Sequence, residues 1–174
     1  MENLLHHIDS DEFHAMEKEV TIFFSDIRGF TNISEKMNNA KNLIEYLNTY
    51  MEPMSNIIIK YDGTIDKYIG DAVMGIFGAP VSSENHAKDA CYAAIEYQQA
   101  LKLLREKEKN RGVAEIYARI GINTGEMIVG NMGCSIGEQS KFNYTVIGDE
   151  VNLASRLEGA NKFYGTEIMI SSFT

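Results

Sequence analysis

Basic residues are in deficit in this sequence. The 174-residue chain sets 16 Lys and Arg against 25 Asp and Glu, a formal charge of −9. It therefore has no basic excess with which to hold nucleic acid or an anionic membrane surface. The net field would also repel a polyphosphate, so capture of one falls to metal ions and a few placed cations. Cysteine is scarce too. Cys91 falls in a helical pattern and Cys134 in a glycine-rich stretch, with no CxxC and no His at zinc spacing. Two reduced thiols in a cytosolic protein are expected rather than a disulfide. His6, His7, His14 and His86 form no ligand pattern. No apolar run approaches the roughly 18 residues of a membrane span, and residues 1–13 lack the apolar centre of a signal peptide. There is no repeat, low-complexity tract or internal linker. What remains, 44% hydrophobic and 24% charged residues, is the composition of one soluble globular domain. It can still be a piece of a larger, membrane-attached parent.

Hydropathy patterning divides the chain. Residues 1–18 are polar and read as a connector. Residues 19–25 (EVTIFFS) are apolar, β-branched and aromatic, which predicts a buried strand with Asp26 at its C-terminal end. A loop with Gly29 inside follows, then a helix start at Thr31-Asn32. Between residues 40 and 61, Leu43, Leu47, Tyr50, Met54, Ile57 and Tyr61 recur at helical spacing, and Pro53 is expected to kink or restart that helix. Residues 64–68 and 72–77 read as a hairpin around Ile69-Gly70-Asp71. Ser82 or Ser83 is suited to cap a helix running to about Lys109, with Ala87, Ala90, Cys91, Ala94, Ile95, Leu101 and Leu104 inward. Residues 115–123 and 127–131 read as strands around a turn at Thr124-Gly125, and residues 142–147 as another. A helix from Gly148-Asp149 to about Phe163 has Val151, Ala154, Leu157 and Ala160 on its core face, and residues 167–170 look like a last strand. Hairpins mixed with helices predict an α+β sandwich, a mainly antiparallel sheet with helices packed on it.

Two carboxylates are hard to explain structurally. Asp26 follows a wholly apolar strand and Asp71 sits in the apolar hairpin KYIGDAVMGIF. An acid beside buried surface must be hydrogen-bonded, paired or metal-bound. Either alone reads best as a turn cap; two, each beside a glycine-bearing turn, favour metal. Mg²⁺ uses one or two carboxylates with phosphate oxygens and water, and two ions about 3.5–4 Å apart can activate an attacking oxygen and stabilise a leaving one. The loop Ile27, Arg28, Gly29, Phe30 and Thr31 enters a helix, a geometry that suits a phosphate. Later, Asn152 and Arg156 share a helix face, with Thr145 on the strand before them. Such an Asn–Arg pair is ordinarily a solvated face. Beside Thr145, Asn is suited to orient a sugar and Arg to take charge building on a phosphate.

Together FSDIRGFT (24–31), DKYIGDAVMGIFGAP (66–80), ARIGINTG (118–125) and NYTVIGDEVNLASRLE (143–158) resemble the class III adenylate/guanylate cyclase catalytic domain over residues 19–174, four motifs in the right order. The resemblance implies a ferredoxin-like core that pairs head to tail as a homodimer, with active sites at the interface. It implies that Asp26, Asp71 and the Ile27 carbonyl hold two Mg²⁺ or Mn²⁺ ions, that residues 27–31 cradle the triphosphate, and that Arg119 contacts it. The partner subunit supplies Lys67 and Thr145 to the purine, Asn152 to the ribose and Arg156 to the α-phosphate. Family members using GTP tend to carry Glu where Lys67 stands. Adenine N1 is an acceptor that suits a lysine donor, whereas the Thr145 hydroxyl suits either base. ATP is therefore the expected substrate, and cyclic AMP for intracellular signalling the product. In carrying Thr145 at this place the chain resembles the Thr-bearing adenylate cyclase branch, often reported as bicarbonate-responsive. Family domains continue past the last strand into a hairpin bearing a phosphate-contacting Lys; here that hairpin is missing and the domain reads as C-terminally incomplete. The implied setting is cytoplasmic, with no nucleic acid and no direct membrane contact from this segment. A guanylate cyclase and a nucleotide-binding pseudo-cyclase are the nearest alternatives. A phosphoacceptor receiver domain ranks lower, because it needs a parallel doubly wound sheet.

Overall fold

In a computed structural model the structure describes residues 15–37, 39–109, 114–136 and 139–174, without the side chains of 134–142. Among the described residues, six strands and four helices follow in the order β1 (Met16–Ile27), α1 (Phe30–Lys36), α2 (Ala40–Lys60), β2 (Gly63–Ile69), β3 (Ala72–Phe77), α3 (His86–Glu108), β4 (Ala118–Ile136), β5 (Gln139–Ile147), α4 (Asp149–Tyr164) and β6 (Ile168–Ile170). The strand order is β2-β3-β1-β4-β5, antiparallel throughout, with β6 added parallel to β4. The sheet is thus mixed and the class α+β, which excludes a doubly wound receiver fold.

Alternation along β1 builds a layer on each face. Phe23 and Ile27 join Tyr50, Met54, Ile58, Ala94, Tyr97 and Leu101 under α2 and α3, whereas Val20 and Ile22 join Met74, Ile76, Val129 and Ala154 under α4. Asp26 follows Phe24 on the α4 face.

Several boundaries differ from the sequence expectation for tertiary reasons. β1 starts at Met16, inside the polar stretch, because Met16, Glu17 and Lys18 pair with Val129, Ile128 and Met127. Thr124-Gly125 is no turn: β4 runs straight through it, paired with Thr21 and Val20. Gly125 serves close packing instead, since a Cβ there would meet the Glu150 side chain at 2.8 Å. Helix α2 continues across Pro53 without restarting. Helix α3 starts at His86, after an Asn85 whose amide donates to Ser83 Oγ at 3.1 Å. Its buried face holds Ala93 and Tyr97, while Ile95 is exposed. His86 is held by Thr21 Oγ1, 2.7 Å from its Nδ1. Cys91 is a free thiol; the Cys134 side chain and His6, His7 and His14 lie outside the described residues.

The buried positions of α4 are Ala154, Glu158 and Asn161 rather than the expected Leu157 and Ala160. Gly121 explains this. A Cβ on it would lie 2.1 Å from the Ala154 carbonyl oxygen and 2.3 Å from the Glu158 nitrogen, so helix and strand touch backbone to backbone. No leucine fits in that gap; Asn161 does, donating to the Ile120 carbonyl at 2.9 Å. Gly121→Ala must push α4 off the sheet, and we expect it to cost about 3 kcal/mol, read as a lower urea midpoint at unchanged slope.

Candidate active site

The first half of the site is built by β1 and the β2–β3 turn. Gly70, at φ 64°, allows a two-residue turn between the paired Ile69 and Ala72. That turn brings Asp71 back over the end of β1, where its Oδ2 accepts the Ile27 amide at 3.1 Å. The Asp71 carboxyl lies beside that of Asp26, close enough for a hydrogen bond when one of the two is protonated. Burial, then that hydrogen bond and the Asp71 charge, push Asp26 from 3.8 to about 7, with Glu158 adding to the rise and Arg119 opposing it. Two acids this close repel each other when both are ionised, and a divalent cation between them would relieve that cost. Among the described residues there is no group of three or more His, Cys, Asp or Glu poised as ligands. The pair is therefore short of a full protein cage, which is the donor set Mg²⁺ takes alongside substrate phosphates.

Asp26 has a raised folded value, so its protonation stabilises the fold below about pH 4, and that contribution is lost as pH rises through about 7. Glu158, raised chiefly by burial, acts in the same sense. Without metal the domain should melt several degrees lower at pH 8 than at pH 5. Saturating Mn²⁺ should narrow the gap, and Asp26→Asn should flatten it; thermal scans in chelator and in Mn²⁺ provide the check.

Cations gather beside the acids. Arg119 stands opposite Asp26 in the β1–β4 ladder, and its Nε donates to Glu158 Oε1 at 2.9 Å. Arg119 thus enters the site already paired, through an acid that the sequence reading passed over. Arg28 and Arg119 line one pocket of about 130 Å³ with Lys162 and Glu167. Gly29, at φ 71°, turns the chain into α1, and its carbonyl accepts the Asn32 and Ile33 amides at 3.1 and 3.3 Å. The leading amides of Phe30 and Thr31 therefore open a helix beside Asp26. A larger cavity, about 550 Å³, lies between α1, α2 and α3, and neither it nor the smaller pocket is lined by Asp26 or Asp71.

Beneath β1, Ser25 Oγ meets Tyr97 Oη at 2.7 Å and Tyr97 meets Tyr50 Oη at 2.6 Å, all buried. This hydroxyl chain fixes the residue before Asp26. In the sequence its only signal is that two apolar helix positions carry tyrosine.

The second half of the site lies on β2 and β5. Lys67 Nζ donates to Thr145 Oγ1 at 2.9 Å, and both contact Asp66 Oδ2, at 3.0 and 3.1 Å. Asn152 and Arg156 sit one turn apart on α4, both exposed, and engage no side chain among the described residues. The chain thus brings Asp26 to Asp71 and Lys67 to Thr145, and leaves Asn152 and Arg156 facing outward.

The sequence and the fold both have known relatives. The family profile described as adenylate and guanylate cyclase catalytic domain matches residues 13–174. Adenylate cyclase 1 of Rhizobium meliloti is 38% identical over 157 residues, covering 90% of this chain and 23% of that protein. The chain therefore spans under a quarter of this relative. The crystal structure of the adenylyl cyclase CyaB from P. aeruginosa is 42% identical with a TM-score of 0.81, over 91% of this chain and 79% of that one. The guanylyl cyclase Cya2 is 38% identical with a TM-score of 0.79, over 91% and 77%. The family profile covers residues 13–174 and the fold agrees with it, so the chain belongs to the adenylate and guanylate cyclase catalytic domain family.

Proposed function

We propose that the chain is an adenylate cyclase catalytic domain, converting ATP to 3′,5′-cyclic AMP and pyrophosphate at a site shared between two head-to-tail copies. The observation that carries this reading is the contact between Asp26 and Asp71 at the end of β1. The pair, with the Ile27 carbonyl, would hold two Mg²⁺ or Mn²⁺ ions, which supply the Lewis acidity that eases loss of the ribose 3′-hydroxyl proton and neutralises the leaving pyrophosphate. In the reaction a bond forms between O3′ and the α-phosphorus, and the bond from that phosphorus to the β-phosphate oxygen breaks.

The remaining roles belong to this chain's own groups. Residues 27–31 and Arg119 receive the phosphates. From the second copy, Asn152 orients the ribose and Arg156 takes the charge that grows on the α-phosphate. Lys67 donates to adenine N1, and Thr145 accepts from the 6-amino group. The outward-facing Asn152 and Arg156 support a shared site, since neither reaches the acids of its own chain.

Substrate preference follows from Lys67, because a donor at that place repels the N1–H of guanine. With Mn²⁺, the purified chain should form cyclic AMP from ATP and markedly less cyclic GMP from GTP. Lys67→Glu should lower kcat/KM for ATP by roughly 10–100-fold, as an unpaired polar contact does. Preference for GTP in the unsubstituted chain would make it a guanylate cyclase; binding without turnover would make it a pseudo-cyclase. Among the described residues no helix is long and apolar enough to cross a membrane.

A further inference from the structure

The hydroxyl of Thr145 is ambivalent toward a purine, since it can donate to guanine O6 or accept from the adenine 6-amino group. Its surroundings remove that freedom. A β-bulge breaks the β2–β3 register between Ile65 and Lys67, and Asp66 is the extra residue. Successive strand residues ordinarily point to opposite faces. The bulge re-aims them, so Asp66 and Lys67 both reach Thr145 on β5.

The Asp66 side chain is 1% exposed. Its Oδ1 is buried and has no hydrogen-bond partner among the described residues, so its contacts to Lys67 and Thr145 converge on Oδ2. A carboxylate only accepts, so the Thr145 proton lies on the 3.1 Å bond to Asp66. The Lys67 ammonium donates to Thr145 Oγ1 at 2.9 Å and occupies one lone pair. What the hydroxyl has left for a ligand is one lone pair and no proton.

From this the geometry points to Asp66 as a specificity-determining positioning residue: by holding the proton of Thr145 it makes that hydroxyl an obligate acceptor, selective for adenine over guanine. This deepens, and rests on, the reading of Lys67 and Thr145 as the base-recognising half of an ATP site. The adenine 6-amino group donates to the remaining lone pair. Guanine O6 would meet that lone pair head-on, acceptor against acceptor, with an uncompensated desolvation cost.

The test compares 3′-deoxy-ATP with 3′-deoxy-GTP, which lack the attacking hydroxyl, by calorimetric titration in Mn²⁺, alongside kcat/KM for ATP and GTP. In Asp66→Asn the amide can turn its NH₂ toward Thr145 and free the hydroxyl proton. The preference for the adenine nucleotide should then fall by about tenfold or more. In a Thr145→Val background there is no hydroxyl to orient, so adding Asp66→Asn should change the preference by less than about twofold. An unchanged preference in Asp66→Asn overturns the proposal. So does an equal change in both backgrounds, the mark of a merely structural role. Should Asp66→Asn fail to fold, Thr145→Ser against Thr145→Val decides: serine keeps the preference and valine weakens it to what Lys67 supplies, and equal preference in the two overturns the proposal. An unsubstituted chain that prefers 3′-deoxy-ATP yet makes no cyclic nucleotide refutes the cyclase reading and leaves this inference standing. One that cyclises both nucleotides alike refutes this inference together with the adenine preference read from Lys67, and leaves the cyclase chemistry standing.

Discussion

Asp26→Asn should lower cyclic AMP formation by about a thousandfold or more while the domain stays folded. The substitution keeps the shape of the side chain and a hydrogen bond to Asp71 but removes one of the two negative charges at the end of β1. Metal-assisted stabilisation of a phosphoryl transition state is worth several kcal/mol, and each 1.36 kcal/mol is a factor of ten in rate. The fold has little to lose, because Asp26 is pushed to about 7 by burial and by Asp71, so the acid is already partly neutral near physiological pH. An amide in its place relieves repulsion rather than adding it. Unchanged turnover in Asp26→Asn contradicts the metal assignment. Loss of turnover with loss of fold is separated from it by circular dichroism and by the melting temperature in chelator.

The second large effect is a recovery. Asp71→Ala and Arg156→Ala should each be inactive alone, yet an equal mixture should regain about a quarter of the unsubstituted activity. In a two-fold head-to-tail dimer, random exchange makes half of the dimers mixed. One of the two sites in each mixed dimer then combines an intact Asp71 with an intact Arg156. The outward placement of Arg156 on α4, with Asp71 in the β2–β3 turn hydrogen-bonded to Ile27 of its own chain, motivates this expectation. A mixture as inactive as its components would place the whole site within one chain.

How far the sequence spoke for itself depends on the range of the interaction. Asp26 and Asp71 were legible because an acid ending an apolar run is conspicuous in one dimension. So was β3, whose six residues are all buried and read as one apolar run. Gly125 was misread as a turn because its cause, the Glu150 side chain packed against it, lies 25 positions away. The core face of α4 was misread for the same kind of reason: Gly121 draws the helix so close that Glu158 and Asn161, not leucine, face the sheet. Glu158 therefore looked like an ordinary helix acid, although it pairs with Arg119 beside Asp26. The contact of Asp66 with Thr145 is invisible in one dimension because a bulge, not the local pattern, turns it there.

Anomalous diffraction from crystals grown with Mn²⁺ and 3′-deoxy-ATP would address the paired acids most directly. Two manganese peaks bridging the Asp26 and Asp71 carboxylates to the nucleotide's phosphates are expected. Nucleotide bound with no manganese at either aspartate would contradict catalysis by metal at the end of β1.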